Sequence, residues 1–325
     1  MMKLGVVGGG AWGTALAQVA AGGGESVTLW VLEDEVATSI NADHVNALYL
    51  NGISLSPAIR ATRELADLAT CDALLVVTPA QHLRSVLAGL PIFNTPLILC
   101  AKGIEAGTGL LMTQVAAEAK PDAPIAVLSG PTFAHEVAAG LPTAITLACA
   151  DAVLGQRIAE RIARPGFRPY LSDDLIGAEI GGAVKNVLAI ACGVAEGAGL
   201  GQNARAALIS RGFAEMTRFG LARGARIETL AGLSGLGDLV LTCSSTSSRN
   251  FTLGKGLGEG MSASALLAHR RTVAEGAFTA PVLRDVARDA GVEMPIVEGV
   301  CALLEGKVSV SEMIDALLAR PLRPE

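Results

Sequence analysis

The 325-residue sequence predicts an α/β fold: a doubly wound parallel sheet over residues 1–172, followed by an all-α domain over residues 173–325. Three observations predict it. Short aliphatic runs alternate with helical patterns through the first half, a glycine-rich turn follows the first run, and strand-like runs vanish beyond Ser172. At roughly 150 residues per domain the length also favours two domains over one. The hydrophobic share is 51% and the aromatic share 3%, so the core is built from Ala, Leu, Val and Ile, with 38 Gly among them.

Strand-like runs occupy 3–8, 26–31, 73–77, 96–101, 124–129 and 143–149, with a weaker one near 167–171. Helical patterns lie between several of them, at 13–21, 110–119 and 151–164. Continuous apolar strands such as Ala73-Leu74-Leu75-Val76-Val77 imply a sheet covered on both faces and paired in parallel through right-handed crossovers. The second half carries Ala/Leu-rich periodic stretches at about 173–198, 202–223, 275–290, 294–305 and 309–319. Ser172 or Asp173 is placed to cap the first of these. Ser309-Val310-Ser311-Glu312 has the spacing of a capping box, followed by Met313, Leu317 and Leu318 as an apolar stripe.

Composition excludes several function classes. With 25 Lys+Arg against 31 Asp+Glu, the net charge of −6 leaves no cation surplus to displace counterions, which excludes a general nucleic-acid binder. Cys71, Cys100, Cys149, Cys192, Cys243 and Cys301 lack CxxC spacing and sit mostly in apolar runs, reading as reduced core residues rather than a metal site or disulfide framework. Met1 to Gly8 turns to glycine too early for a secretory apolar region, so the cytoplasm is the expected location. No membrane span is expected, since the nearest candidate, Asn186 to Gly201, is glycine-rich and holds Glu196.

The run Leu4-Gly5-Val6-Val7 leads into Gly8-Gly9-Gly10-Ala11-Trp12-Gly13 and then a helical pattern. This is GxGxxG in strand-turn-helix context, the Rossmann-like dinucleotide fingerprint. Gly8 permits the tight turn, Gly10 lets backbone approach a pyrophosphate, and Gly13 lets helix pack on strand, while the helix N-terminus faces the anion. Glu33 follows Gly13 by 20 residues, where an acid accepts hydrogen bonds from an adenosine ribose and repels a 2′-phosphate, or else merely begins a solvated helix. No Lys or Arg lies between Lys3 and Arg60, so no cation is evident for a third phosphate. NAD is the expected cofactor, with NADP open.

Lys102 follows the run 97–101 at a carboxyl edge, where open parallel sheets bind ligands, though a surface lysine ending a strand reads the same way. Ser129-Gly130-Pro131-Thr132-Phe133-Ala134 reaches the same edge, with Pro131 suited to a helix's first turn. Between Leu175 and Gly201 the only charges are Glu179, Lys185 and Glu196. Lys185 has Gly181, Gly182, Leu188 and Ala189 as helical neighbours, so no acid on its own face pairs with it. It either snorkels to water or has a lowered pKa suited to donating a proton to a carbonyl oxygen, with Asn186 beside it. Asp238 ends a glycine-rich bend, where it orients the lysine, holds a substrate hydroxyl or caps a helix. Thr242 to Asn250 supplies hydroxyls, Ser248 among them, leading to Arg249 and Asn250, a set that suits a phosphate monoester or makes a polar surface loop.

The blocks GGGAWGTALA, AKGIE, SGPTFAHEVA, GGAVKNVLAIACGVAEGAGLGQNARAALISRG, GLSGLGDLVLTCSSTSSRN and VAEGAFTA, in this order, resemble bacterial NAD(P)-dependent glycerol-3-phosphate dehydrogenase over essentially the whole chain. The resemblance implies reversible reduction of dihydroxyacetone phosphate to sn-glycerol 3-phosphate, serving glycerophospholipid synthesis, without a metal. It implies that Lys185 is the general acid and base, and that Lys102, Gly130, Thr132, Asn186, Asp238, Ser248, Arg249 and Asn250 contact the phosphorylated substrate. It also implies cofactor contacts from Ala11, Trp12, Lys102, Ala134, Arg249, Val273 and Glu275 beside the glycines and Glu33. A homodimer is expected on the same ground. One departure stands out: many members carry a His or Arg after the second strand for a 2′-phosphate, and here that position is Leu32. The alternatives are another two-domain hydroxy-acid or sugar-phosphate dehydrogenase, or a non-catalytic NAD sensor.

Overall fold

The computed structural model of the chain describes residues 2–268 and 274–319. Strand β1 (Leu4–Val7) is fully buried and runs through a short glycine turn into α1 (Ala11–Ala21). Then follow β2 (Val27–Trp30), α2 (Asp34–Asp43), β3 (Ile59–Thr62), β4 (Ala73–Val76), α3 (Leu83–Gly89), β5 (Leu97–Leu99) and α4 (Met112–Ala119). β6 (Ile125–Ser129), α5 (Ala134–Ala138), β7 (Thr143–Cys149), α6 (Ala152–Ile162) and β8 (Phe167–Ser172) complete the alternation. Among the described residues the strands form one sheet in the order β3-β2-β1-β4-β5-β6-β7-β8.

Burial on both faces explains why the central strands read as unbroken apolar runs. Leu4 and Val6 of β1 point into one layer with Leu16, Leu29 and Ile40, whereas Val7 points into the other with Leu74, Leu83 and Leu97. Two details depart from expectation. β3 has no strand-like run, because this edge strand buries only Ile59, Ala61 and Thr62 and leaves Arg60 exposed. β7 runs antiparallel to β6, although the other pairs are parallel. The connecting helix α5 has five residues, about 7 Å of rise, too little to carry the chain back along β6.

Compactness divides the chain into one unit of Met1–Lys102 and Leu110–Glu179 and a second of Gly103–Gly109 and Ile180–Glu325. The division falls inside α7 (Leu175–Gly197). Its N-terminal cap is Asp174, whose Oδ1 accepts from Gly177 N at 2.9 Å, rather than the neighbouring Ser172 or Asp173. The second unit continues with α8 (Gly201–Ala222), α9 (Ile227–Leu230), a π turn at Leu233–Gly237 and α10 (Asp238–Cys243). Last come α11 (Arg249–Gly258), α12 (Ala263–Ala268), α13 (Glu275–Asp289), α14 (Pro295–Leu304) and α15 (Val310–Leu318). The capping box forms, Ser309 Oγ accepting from Glu312 N at 3.2 Å and Glu312 Oε2 from Ser309 N at 2.7 Å. Of the stripe on α15, Met313 is buried but Leu318 is 79% exposed.

Among the described residues α7, not the stretch 186–201, is the helix long and apolar enough to cross a membrane, yet 89% of that window is buried inside the protein. From Ile180 onward it belongs to the second unit. Its first turns also hold Glu179, which accepts from Thr113 N at 2.8 Å and Thr113 Oγ1 at 2.6 Å and so satisfies the N-terminus of α4. Burial outweighs these bonds and pushes the Glu179 carboxyl up to about 7. Its ordinary value is 4.5, so between that pH and about 7 the folded chain retains a proton that the unfolded chain releases. This contribution to stability is therefore complete below the lower value and lost as pH rises through the upper one. Urea unfolding of the native chain should lose on the order of a few kcal/mol across this window, at about 1.4 kcal/mol per pH unit. Glu179→Gln should remove that slope; an unchanged slope would show that the proton is held elsewhere.

Candidate active site

The glycine turn of the first unit separates what the fold requires from what a ligand requires. Gly8 has φ +120, a region that disfavours side chains, and its N–H donates to Trp30 O at 3.0 Å. A Cβ on Gly13 would overlap the Gly8 carbonyl oxygen, so close packing of α1 on the turn enforces glycine there. Gly10 is different: its φ of −69 suits any residue, and a Cβ added to it would meet nothing within 4 Å. Among the described residues no protein neighbour calls for glycine at this N-cap of α1, and the space in front of the helix N-terminus is open.

The turn is held by a residue that carries no sequence signal. Asn46, fully buried in the connection from α2 to β3, donates from Nδ2 to Gly9 O and to Thr14 Oγ1, both at 2.8 Å. Its Oδ1 accepts from Tyr49 N at 3.1 Å, and the Tyr49 hydroxyl donates to Glu33 Oε1 at 2.7 Å. Glu33 is the N-cap residue of α2 without capping it through its side chain, so its carboxylate serves the loop beyond β2. Ala11 and Trp12 form the first turn of α1, and the Trp12 indole N–H is buried without a partner among the described residues. The absence of a cation near Glu33 in the sequence is corrected by the fold, because β3 delivers Arg63 to the same loop: Arg63 Nε donates to Leu32 O at 3.1 Å.

At the carboxyl ends of β5 and β6, Lys102 Nζ and Thr132 Oγ1 each donate to Gly130 O at 3.3 Å. Pro131 does not enter a helix, since α5 begins at Ala134, which packs against the apolar layer of the sheet.

In the second unit Lys185 is only 6% exposed. It is nearly buried and does not stand alone: Nζ donates to Asp238 Oδ1 at 2.5 Å and to Thr242 Oγ1 at 2.9 Å. The acid missing from its own helix comes from α10, where Asp238 is fully buried and Thr242 lies one turn on, on the same face. A Cβ on Gly181 would overlap the Ser234 carbonyl, so glycine lets α7 lie directly against the π turn that precedes Asp238. The sequence places Thr242 at the head of the hydroxyl run and not beside Lys185, although its i+4 spacing from Asp238 is a signal. Asn186 Oδ1 accepts from Asn250 Nδ2 at 3.0 Å, and Asn250 Oδ1 accepts from Gly276 N at 2.9 Å, next to Glu275 at the start of α13. Ser248 caps α11 by accepting from Phe251 N at 3.2 Å, leaving Arg249 exposed in the first turn. Val273 lies outside the described residues. Among the described residues no three His, Cys, Asp or Glu side chains gather as a metal site.

A glycine turn and an open helix N-terminus at the end of the first strand of a doubly wound sheet define the class of dinucleotide-binding proteins. Comparison with known proteins narrows the class. The sequence profile of the NAD-dependent glycerol-3-phosphate dehydrogenase N-terminus matches residues 3–154, and that of the C-terminus residues 174–315. The chain is 66% identical to glycerol-3-phosphate dehydrogenase [NAD(P)+] of Novosphingobium aromaticivorans, over 99% of its own length and 98% of the relative's. The Caulobacter vibrioides protein of the same name is 59% identical over the same shares. The crystal structure of glycerol-3-phosphate dehydrogenase from Coxiella burnetii superposes with TM-score 0.93 at 37% identity, covering 98% of this chain and 99% of that one. The chain belongs to the NAD-dependent glycerol-3-phosphate dehydrogenase family.

Substitution in the glycine turn should separate its two roles. Gly13→Ala is expected to lose about 1–3 kcal/mol or more in urea unfolding, because its Cβ meets backbone. Gly10→Ala should stay within about 1 kcal/mol of the native chain while weakening NADH at least tenfold by calorimetric titration. Unchanged NADH affinity in Gly10→Ala would remove the pyrophosphate from that turn.

Proposed function

We propose that this chain interconverts dihydroxyacetone phosphate and sn-glycerol 3-phosphate, with Lys185 as general acid and base. The observation that carries the reading is the buried Lys185 ammonium, fixed by Asp238 and Thr242 inside an otherwise apolar helix. Dinucleotide binding is assigned to residues 1–172 and substrate binding with catalysis to residues 173–325. Gly8, Gly10, Ala11, Trp12 and Gly13 hold the cofactor pyrophosphate and its surroundings, and Glu33 the adenosine ribose, with NAD favoured. Lys102, Ala134, Arg249, Val273 and Glu275 are the further cofactor contacts implied by family membership. The nicotinamide ring, when bound, supplies or accepts the hydride at substrate C2.

In the reducing direction negative charge grows on the C2 oxygen. The Lys185 ammonium stabilises that charge and passes a proton from Nζ to the oxygen, leaving a neutral amine that solvent reprotonates. In the oxidising direction the neutral amine removes the C2 hydroxyl proton. Asp238 compensates the buried cation and fixes its direction, and Thr242 adds a second restraint. Arg249, exposed at the first turn of α11, offers a fork to the substrate phosphate, with Ser248 and Asn250 beside it. Lys102, Gly130, Thr132 and Asn186 hold the remaining polar groups. We assign the chain to the cytoplasm, where its six unpaired cysteines stay reduced, as a homodimer supplying glycerophospholipid synthesis. Light scattering of the purified chain tests the dimer.

NADH consumption with dihydroxyacetone phosphate tests the reaction itself. Lys185→Ala should lower kcat by about 10²- to 10⁴-fold while calorimetric NADH affinity stays within about twofold. It strands the buried Asp238 carboxylate, so Lys185→Met combined with Asp238→Asn should show the same kinetic loss in a better-folded chain. Arg249→Ala should raise KM for the phosphorylated ketone by about tenfold or more. Turnover retained without Lys185 would overturn the assignment.

A further inference from the structure

The loop between β2 and α2 carries opposing charge at the place where the adenosine ribose lies in a doubly wound fold. Glu33 ends it as the N-cap residue of α2, engaged on one oxygen by the Tyr49 hydroxyl. Arg63 spans the residues on either side. β2 and β3 pair in parallel with Trp30 opposite Thr62, which sets Arg63 level with the start of this loop. Its carbonyl accepts from Trp30 Nε1 at 2.9 Å, its Nε donates to Leu32 O at 3.1 Å, and its Nη1 donates to Asp34 Oδ1 at 2.5 Å. Backbone and Nε are thus anchored, while among the described residues Nη2 makes no hydrogen bond. The Arg63 side chain is 48% exposed and that of Asp34 80% exposed, so water and salt screen their ion pair.

A guanidinium held at its base, paired at its tip with an exposed carboxylate, is poised to exchange that carboxylate for a stronger anion. A phosphate monoester carries more charge than Asp34 and accepts two parallel N–H bonds from an arginine fork. We propose that Arg63 is a cofactor-specificity residue, whose guanidinium leaves Asp34 to take the 2′-phosphate of NADP(H). The chain then accepts both dinucleotides although Glu33 disfavours the phosphorylated one and Leu32 offers it nothing. Arg63 comes from the third strand, 30 residues beyond Glu33, so its role is invisible in the segment that follows the second strand. The inference rests on the reading that the first unit binds a nicotinamide dinucleotide.

Binding of NADH, NADPH, ADP-ribose and 2′-phospho-ADP-ribose to the full chain, followed by calorimetry without substrate, tests it. In Arg63→Ala the ratio of NADPH to NADH Kd should rise tenfold or more, and 2′-phospho-ADP-ribose should lose affinity against ADP-ribose by the same factor. Asp34→Asn, which frees the fork, should lower that ratio severalfold, and most of the gain should vanish in the Asp34→Asn, Arg63→Ala double variant. Arg63→Lys should recover part of the preference, because charge returns without the fork. Equal weakening of both dinucleotides in Arg63→Ala would make the residue a loop brace and overturn the proposal, as would a native chain that binds NADH but not NADPH. A native chain that binds neither would instead overturn the dinucleotide reading, and the proposal with it.

Discussion

An ammonium group buried in an apolar helix is the constraint on which the second unit is organised. Desolvating Lys185 is too costly without a compensating charge, and α7 supplies none on that face. The carboxylate comes from Asp238, 53 residues further along the chain, and must sit at hydrogen-bond distance with no exposure of its own. That requirement explains the local architecture: a π turn before α10, a glycine in α7 where the Ser234 carbonyl presses against it, and a threonine one turn beyond the aspartate. A pair of this kind contributes little net stability, because desolvation offsets most of the Coulomb attraction. Its value lies in fixing one proton-bearing atom in one place.

In the proposed reading the first unit solves a complementary problem, presenting backbone N–H groups to an anion without blocking them. Gly13 is demanded by the packing of α1 on the turn and Gly10 by no protein neighbour among the described residues, although the two look alike in the sequence. Asn46 keeps the turn in place by occupying the Gly9 carbonyl and the Thr14 hydroxyl together, and it ties the turn to Tyr49 and Glu33. The glycine turn and Glu33 are thereby parts of one hydrogen-bonded network.

How much of this was legible in the sequence depends on the range of the interaction. The buried strands and the capping box at Ser309 are local patterns and could be read directly. β3 could not, because an edge strand needs few apolar residues, and α9 to α12 could not, because short helices broken by glycine and serine show no stripe. The residues now proposed as acid, acid partner and phosphate contacts stood out by charge or by motif. Their pairings did not: Asn46, Thr242 and Arg63 act across 37, 57 and 31 residues to Gly9, Lys185 and Leu32. Pairing over such distances is written in the topology, not in any window of the chain.

All six cysteines are buried and unpaired, and burial raises the thiols of Cys71, Cys100, Cys149, Cys243 and Cys301. The reactive thiolate is therefore scarce in the folded chain, and peroxide or alkylating reagents meet no ready nucleophile. Oxidation of these cysteines is thus gated by opening of the core: a modified thiol records a molecule that had already begun to come apart.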